Sequence, residues 1–137
     1  MKFACLVYHE HKDTISEAEL SAIVAECQDA AAWNEDIKKA GRHVFTSGLQ
    51  GPRTARTVRK RNGTLSISDG PFAETKECLG GFTIIEARDM NEALELVSKF
   101  PARLTSVEVR PVMDANAELT DPGDRLVMSA MTRQRRS

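Results

Sequence analysis

The chain has 137 residues, of which 41% are apolar, 28% charged and 5% aromatic, a length that suits one domain able to bury its core without staples. No apolar run approaches the roughly 18 residues of a membrane-spanning helix, and the opening MKFACLVYHEHKD is too short and too quickly charged for a secretory signal. The formal charge of −1 hides a segregation: residues 1–37 carry two basic and eight acidic side chains, residues 38–61 eight basic and none acidic, and residues 62–137 nine basic and twelve acidic.

Residues 3–8 form a short run apolar on both faces, the pattern of a central strand. Ser16 and Glu19 then make an S-x-x-E capping box, flanked by Ile15 and Leu20 at the positions of a hydrophobic staple. Leu20, Ile23, Val24, Cys27, Ala30, Ala31, Asn34 and Ile37 follow at spacings of three and four, which predicts a long helix with one apolar stripe. Gly41, after Lys38 and Lys39, is its natural stop.

From His43 the period changes to two, and residues 43–49 read as a strand ended by Gly48, Gly51 and Pro52. Asn62-Gly63 predicts a two-residue type I′ turn that pairs residues 56–61 with residues 64–68. The pairing sets Val58 opposite Ile67 and Lys60 opposite Leu65 on one face. Arg59 and Arg61 share the other face with Ser66 and Thr64, so one side of the hairpin is polar and positive.

Residues 69–81, DGPFAETKECLGG, read as a long polar loop, and loops of this kind commonly bind something or support a site. Residues 82–87 form another apolar strand. Asp89 and Glu92 cap a second helix with Ala93, Leu94, Val97 and Phe100 as its buried side, stopped by Pro101. Residues 106–112 alternate as a last strand that ends, or lies at an edge, at Pro111. Two strand–helix units on a mainly antiparallel sheet, with an inserted hairpin, make an α+β sandwich of ferredoxin-like type over residues 1–113. Residues 114–137 form an Arg-rich tail, expected to be largely irregular, with a short helix docked on a partner as the other reading.

Cys5, Cys27 and Cys78 are odd in number and contain no CxxC, which fits a reduced, cytoplasmic chain. Cys5 and Cys27 are expected as small buried hydrophobes, and Cys78 as a partly exposed thiol in the polar loop, suited to a labelling test. His9 and His11 stand two residues apart, a metal pair lacking a third ligand; the plainer reading is two solvent-facing imidazoles at a strand end, and no metal or cofactor is expected.

The residue types point to a ligand site more readily than to a named reaction. Asp69 is a candidate base, or orienter of one, against the plainer role of capping its own loop, and His43 is a candidate acid–base group. Arg59 offers fork-shaped donors to an anion, Phe72 an apolar anchor, Lys76 a further charge, and Gly80 and Gly81 a close backbone approach. The plainer reading of the basic block is a solvated face paired with acids of the first helix. With Phe45 its sole aromatic, it makes a poor stacking platform for nucleic acid, and neither GxGxxG nor GxxxxGK[ST] is present.

DGPFAETKE, followed by GGF and SVEVRPV, together with MKFACLVYH, Ala40-Gly41 and Thr57-Val58-Arg59, resembles the DGPF branch of the YCII-related proteins over residues 1–113. The resemblance implies a ferredoxin-like fold that pairs into a homodimer, in the manner of dimeric α+β barrels, with a ligand cleft between sheet and helices. It brings no established reaction. Some smaller members of the wider family carry a His–Asp pair in the first helix, and anchoring on Gly41 puts approximately Ala30 and Lys39 at those positions. The resemblance also implies an association with extracytoplasmic-function sigma factors, which gives a regulatory, non-catalytic alternative to ligand binding.

Overall fold

The first half of the chain forms β1 (Lys2–Glu10), α1 (Glu17–Lys39) and β2 (His43–Gly48), and a hairpin of β3 (Arg56–Arg61) and β4 (Thr64–Asp69) follows. The second half forms β5 (Glu77–Glu86), α2 (Met90–Val97), β6 (Thr105–Pro111) and α3 (Pro122–Gln134). The computed structural model describes residues 1–114 and 118–136. Among them, no helix is long and apolar enough to cross a membrane.

Four strands form one antiparallel sheet in the order β2-β5-β1-β6, and β3 pairs with β4 in a separate ribbon. β5 lies between β1 and β2, and β1 lies between β5 and β6, so each strand–helix–strand unit straddles a strand of the other. The most apolar strands therefore occupy the centre, and Pro111 ends an edge strand, where its missing N–H is tolerated. This is the expected mixed α+β architecture.

Strand alternation decides which side chains enter the core. Phe3 and Cys5 of β1 and Thr83 and Ile85 of β5 are buried on one face, against Trp33 and Ile37 of α1 and Ala93 of α2. Trp33 joins the layers: its indole N–H donates to the Leu96 carbonyl at 2.9 Å, and its ring meets Phe100 edge to face at 5.2 Å. The intervening residues, among them Leu6, Phe45, Phe82 and Ile84, turn to the second face and stay outside the buried core. There the rings of Phe45 and Phe82 stand 6.0 Å apart.

Helix α1 starts as its sequence requires, with Ser16 Oγ accepting from the Glu19 amide at 3.1 Å. The return half of the capping box is replaced by an ion pair, Glu19 to Lys12 at 3.5 Å. Its end is a Schellman motif: Gly41 sits at φ 71°, with Gly41 N donating to Lys38 O and Arg42 N to Ile37 O, both at 3.0 Å.

The buried stripe of α1 differs from the predicted one. Leu20, Ile23, Val24 and Cys27 are exposed, and Glu26 is buried at 5% exposure. The Glu26 carboxylate accepts from the Arg103 amide at 2.6 Å and the Leu104 amide at 2.9 Å, satisfying two donors of the α2–β6 connection. Holding Glu26 inward turns Cys27 outward. Helix α2 begins on the Asp89 cap, whose carboxylate accepts from the Glu92 amide at 2.9 Å, and ends at Val97, before Pro101; Leu94 is exposed.

The hairpin has the predicted register, Val58 with Ile67 and Arg59 with Ser66, around Asn62 at φ 50° and Gly63 at φ 77°. The polar loop is shorter than expected, because β5 begins at Glu77 and takes Cys78, Gly80 and Gly81 into the sheet. The tail is also more ordered than expected. Asp121 caps α3 through the Gly123 amide at 2.7 Å, with Pro122 in the first turn, so Asp-Pro-Gly opens a helix where it resembles a turn. Residues 115–117 and 137 of the tail lie outside the described residues.

Glu26→Ala leaves two buried amides without an acceptor and is expected to lower stability by about 2–3 kcal/mol in chemical denaturation. Asp29→Ala, which breaks the exposed pair with Arg103 one turn away, is expected to cost less than about 1 kcal/mol.

Candidate functional site

Asp69 ends β4 with its carboxylate 89% exposed and 3.0 Å from Nε of Arg56, its partner in the hairpin register. The corner that follows is tied down by backbone: Gly70 N donates to Ala55 O, and Thr57 Oγ1 donates to Gly70 O, both at 2.9 Å. Asp69 is thus anchored to β3, and the loop turns without its carboxylate as a cap.

The loop that starts there runs back along the positive side of the hairpin. Arg59 and Phe72, each expected to contribute to a ligand site, meet one another. The guanidinium lies over the Phe72 ring, 4.9 Å from its centroid, and Nη2 donates to the Phe72 carbonyl at 3.4 Å. The Phe72 ring remains 74% exposed. Among the described residues no carboxylate lies within ion-pair reach of Arg59, Lys60, Arg61 or Lys76. Four other cations of the basic block are committed: Lys38 to Glu35, Arg42 to Glu92, Arg53 to Asp13 and Arg56 to Asp69. Pairing with the first helix is confined to Lys38 and Glu35, both on α1 itself. The outer half of the hairpin keeps its positive charge uncompensated.

His43 belongs to a different group of side chains. Its Nε2 lies 2.6 Å from Thr46 Oγ1, which donates to Asn34 Oδ1 at 2.8 Å; Thr83 Oγ1 also donates to Asn34 Oδ1, at 3.2 Å. Since the Thr46 proton is used toward Asn34, Thr46 accepts from His43, and Nε2 carries a proton. These partners lie on α1, β2 and β5, and none is on the hairpin. The sequence reading did not gather Asn34, Thr46 and Thr83, and the available signal was one polar residue, Asn34, inside an otherwise apolar helical stripe.

Gly80 and Gly81 do provide close approaches, and both are to the protein's own strands. A Cβ on Gly81 would stand 2.9 Å from the Ser47 carbonyl of β2, and one on Gly80 would stand 2.7 Å from Nε2 of His9. His9 and His11 separate as β1 ends at Glu10, and His11 pairs with Asp13 at 3.3 Å. Among the described residues no group of three or more His, Cys, Asp or Glu side chains is arranged to hold a metal ion.

The model of the YCII-related domain matches residues 1–116. An uncharacterized protein of Rhizobium meliloti (strain 1021) is 32% identical over 117 residues, covering 82% of this chain and 92% of that protein. With the four-stranded antiparallel sheet, α1 and α2 formed by the same residues that the family model spans, the chain belongs to the YCII-related family.

Proposed function

We propose that the protein is a homodimer of the DGPF branch, two ferredoxin-like subunits meeting through the second faces of their sheets as a dimeric α+β barrel, and that it binds a small anionic ligand at Arg59. The observation that supports assembly is surface area. The chain exposes 10171 Å², whereas a folded monomeric protein of 15.1 kDa exposes about 7,100 Å². The excess of about 3,000 Å² is several times what one partner buries in an ordinary stable interface. Much of it is apolar: Phe45 beside the second face and Val58, Leu65 and Ile67 on the apolar side of the hairpin are all exposed.

The observation that supports anion binding is the state of Arg59. Its guanidinium is oriented by the Phe72 ring and carbonyl while its charge has no carboxylate partner among the described residues. A positioned, uncompensated guanidinium favours a carboxylate or phosphate, which it engages through two parallel hydrogen bonds. Lys76 and the Gly70–Pro71 corner frame the same loop. His43 and Asp69 remain acid–base candidates in this reading, but they have no partner in common, so binding is the better-supported activity.

Inorganic phosphate and succinate serve as probe anions. Near saturation one of them is expected to raise the unfolding midpoint by roughly 5 °C, and Arg59→Gln to lose that shift. An equal shift in the variant would remove Arg59 from the site. Light scattering is expected to give twice the 15.1 kDa chain mass, falling to the monomer mass for Phe45→Glu. A wild-type monomer at micromolar concentration would sink the assembly.

The second reading, a non-catalytic module that contacts an extracytoplasmic-function sigma factor, is favoured by α3, where Leu126 is 73% exposed beside exposed Val127 and Met131. Deleting residues 114–137 separates the two readings. A regulator loses its sigma factor in co-purification, and a ligand binder keeps its anion-dependent shift.

A further inference from the structure

Cys78 and His9 stand opposite each other in the register of β5 and β1, at the end of the sheet where both are half-buried. Cys78 Sγ lies 3.8 Å from His9 Nε2, within hydrogen-bonding reach for sulfur, and its S–H also reaches the His9 carbonyl oxygen at 3.5 Å. The other ring nitrogen, Nδ1, lies 3.2 Å from the Glu10 carbonyl oxygen. A carbonyl only accepts, so Nδ1 carries the proton, and the neutral ring presents its Nε2 lone pair to the thiol. A nucleophile, its base and the group that orients the base are thus in sequence.

Two further features belong to the same place. Gly80 is the residue over which the His9 ring lies, and any Cβ there would collide with it. On the other side of His9, in register on β6, is Thr105, whose Oγ1 is buried without a hydrogen-bond partner among the described residues. A buried hydroxyl without a partner is costly, and it leaves spare polar capacity beside the His9 ring.

The geometry points to a reactive-thiol site at Cys78 and His9 that reduces a small, uncharged hydroperoxide, a role separate from anion binding at Arg59. The thiol proton passes to His9 Nε2 as Sγ attacks one peroxide oxygen; the S–O bond forms while the O–O bond breaks. The departing oxygen takes the proton back from His9, so Cys–SH and ROOH give Cys–SOH and ROH, with two electrons moving from sulfur to the peroxide. Most of the cations at this end of the sheet are already paired, Arg53 and His11 with Asp13 and Lys12 with Glu19, Lys76 being without a carboxylate among the described residues, and the His9 imidazolium is the donor for the leaving oxygen. The other two thiols differ from this one. Burial pushes Cys5 up to about 11, and Cys27 is exposed on α1 without a histidine partner among the described residues.

The full chain is treated with hydrogen peroxide in the presence of dimedone, which captures sulfenic acids, and each cysteine peptide is quantified by mass spectrometry. Cys78 is expected to be captured about tenfold faster than the exposed Cys27, and His9→Gln to slow Cys78 by about tenfold without changing Cys27. Capture of Cys78 no faster than Cys27, or at the same rate in His9→Gln, overturns the assignment. Gly80→Ala, which displaces the ring, is the second variant and is expected to slow Cys78 as well. If neither variant folds, the wild-type ratio of Cys78 to Cys27 decides alone.

Discussion

Trp33 is the point on which the layers of this protein depend. Its ring is large enough to fill the space between α1, α2 and the first face of the sheet, and its N–H must find an acceptor once it is buried. The Leu96 carbonyl supplies one at 2.9 Å, and Phe100 completes the contact edge to face. One residue therefore sets the distance of α1 from α2 and commits both helices to the same side. With the apolar core gathered on that side, the second face of the sheet and the hairpin are left with side chains that a solitary subunit does not cover.

The polar chemistry is distributed accordingly. In the core the side chains are apolar or, like Thr83 and Glu26, hydrogen-bonded. Groups with spare capacity lie at the margins: the guanidinium of Arg59 on the ribbon, His43 at the start of β2, and His9 at the last turn of the pleat in β1. A rigid centre with functional groups on its ends and loops is the general arrangement of binding sites, since polar groups are affordable only where water or a ligand can meet them.

What the sequence made legible follows from how local the cause is. The hairpin register depends on two residues, Asn62 and Gly63, whose positive φ angles admit one turn type, and it could be read directly. The start and stop of α1 are equally local. The face of α1 was not, because a carboxylate at position 26 reads as solvent-exposed until the amides of Arg103 and Leu104, far along the chain, come to it. Helix α3 lies in a tail expected to be largely irregular, because Asp-Pro-Gly serves both turns and helix openings. At the candidate site, the sequence singled out Arg59 and Phe72 one by one, and their contact depends on the loop after β4 returning along its own hairpin. The groupings around His43 and His9 needed the order of the strands, which no spacing in the chain reveals.

The irregularity at Gly80 reaches beyond the room it makes for a ring. Val7 pairs with Gly81 and Tyr8 with Leu79, so one residue of β5 has no counterpart on β1. A pleat turns its side chains by parity, and a single unmatched residue exchanges the two faces for everything beyond it. From Leu79 back to Glu77, β5 therefore presents the opposite set of side chains from the one strict alternation with Thr83 and Ile85 would dictate. Pairing β5 with β1 at unchanged length but without the bulge would restore the alternation, carry Leu79 to the helix side and send Cys78 to the side of Tyr8. The bulge is thus an addressing device: one glycine's worth of chain determines which side of the sheet holds the sulfur.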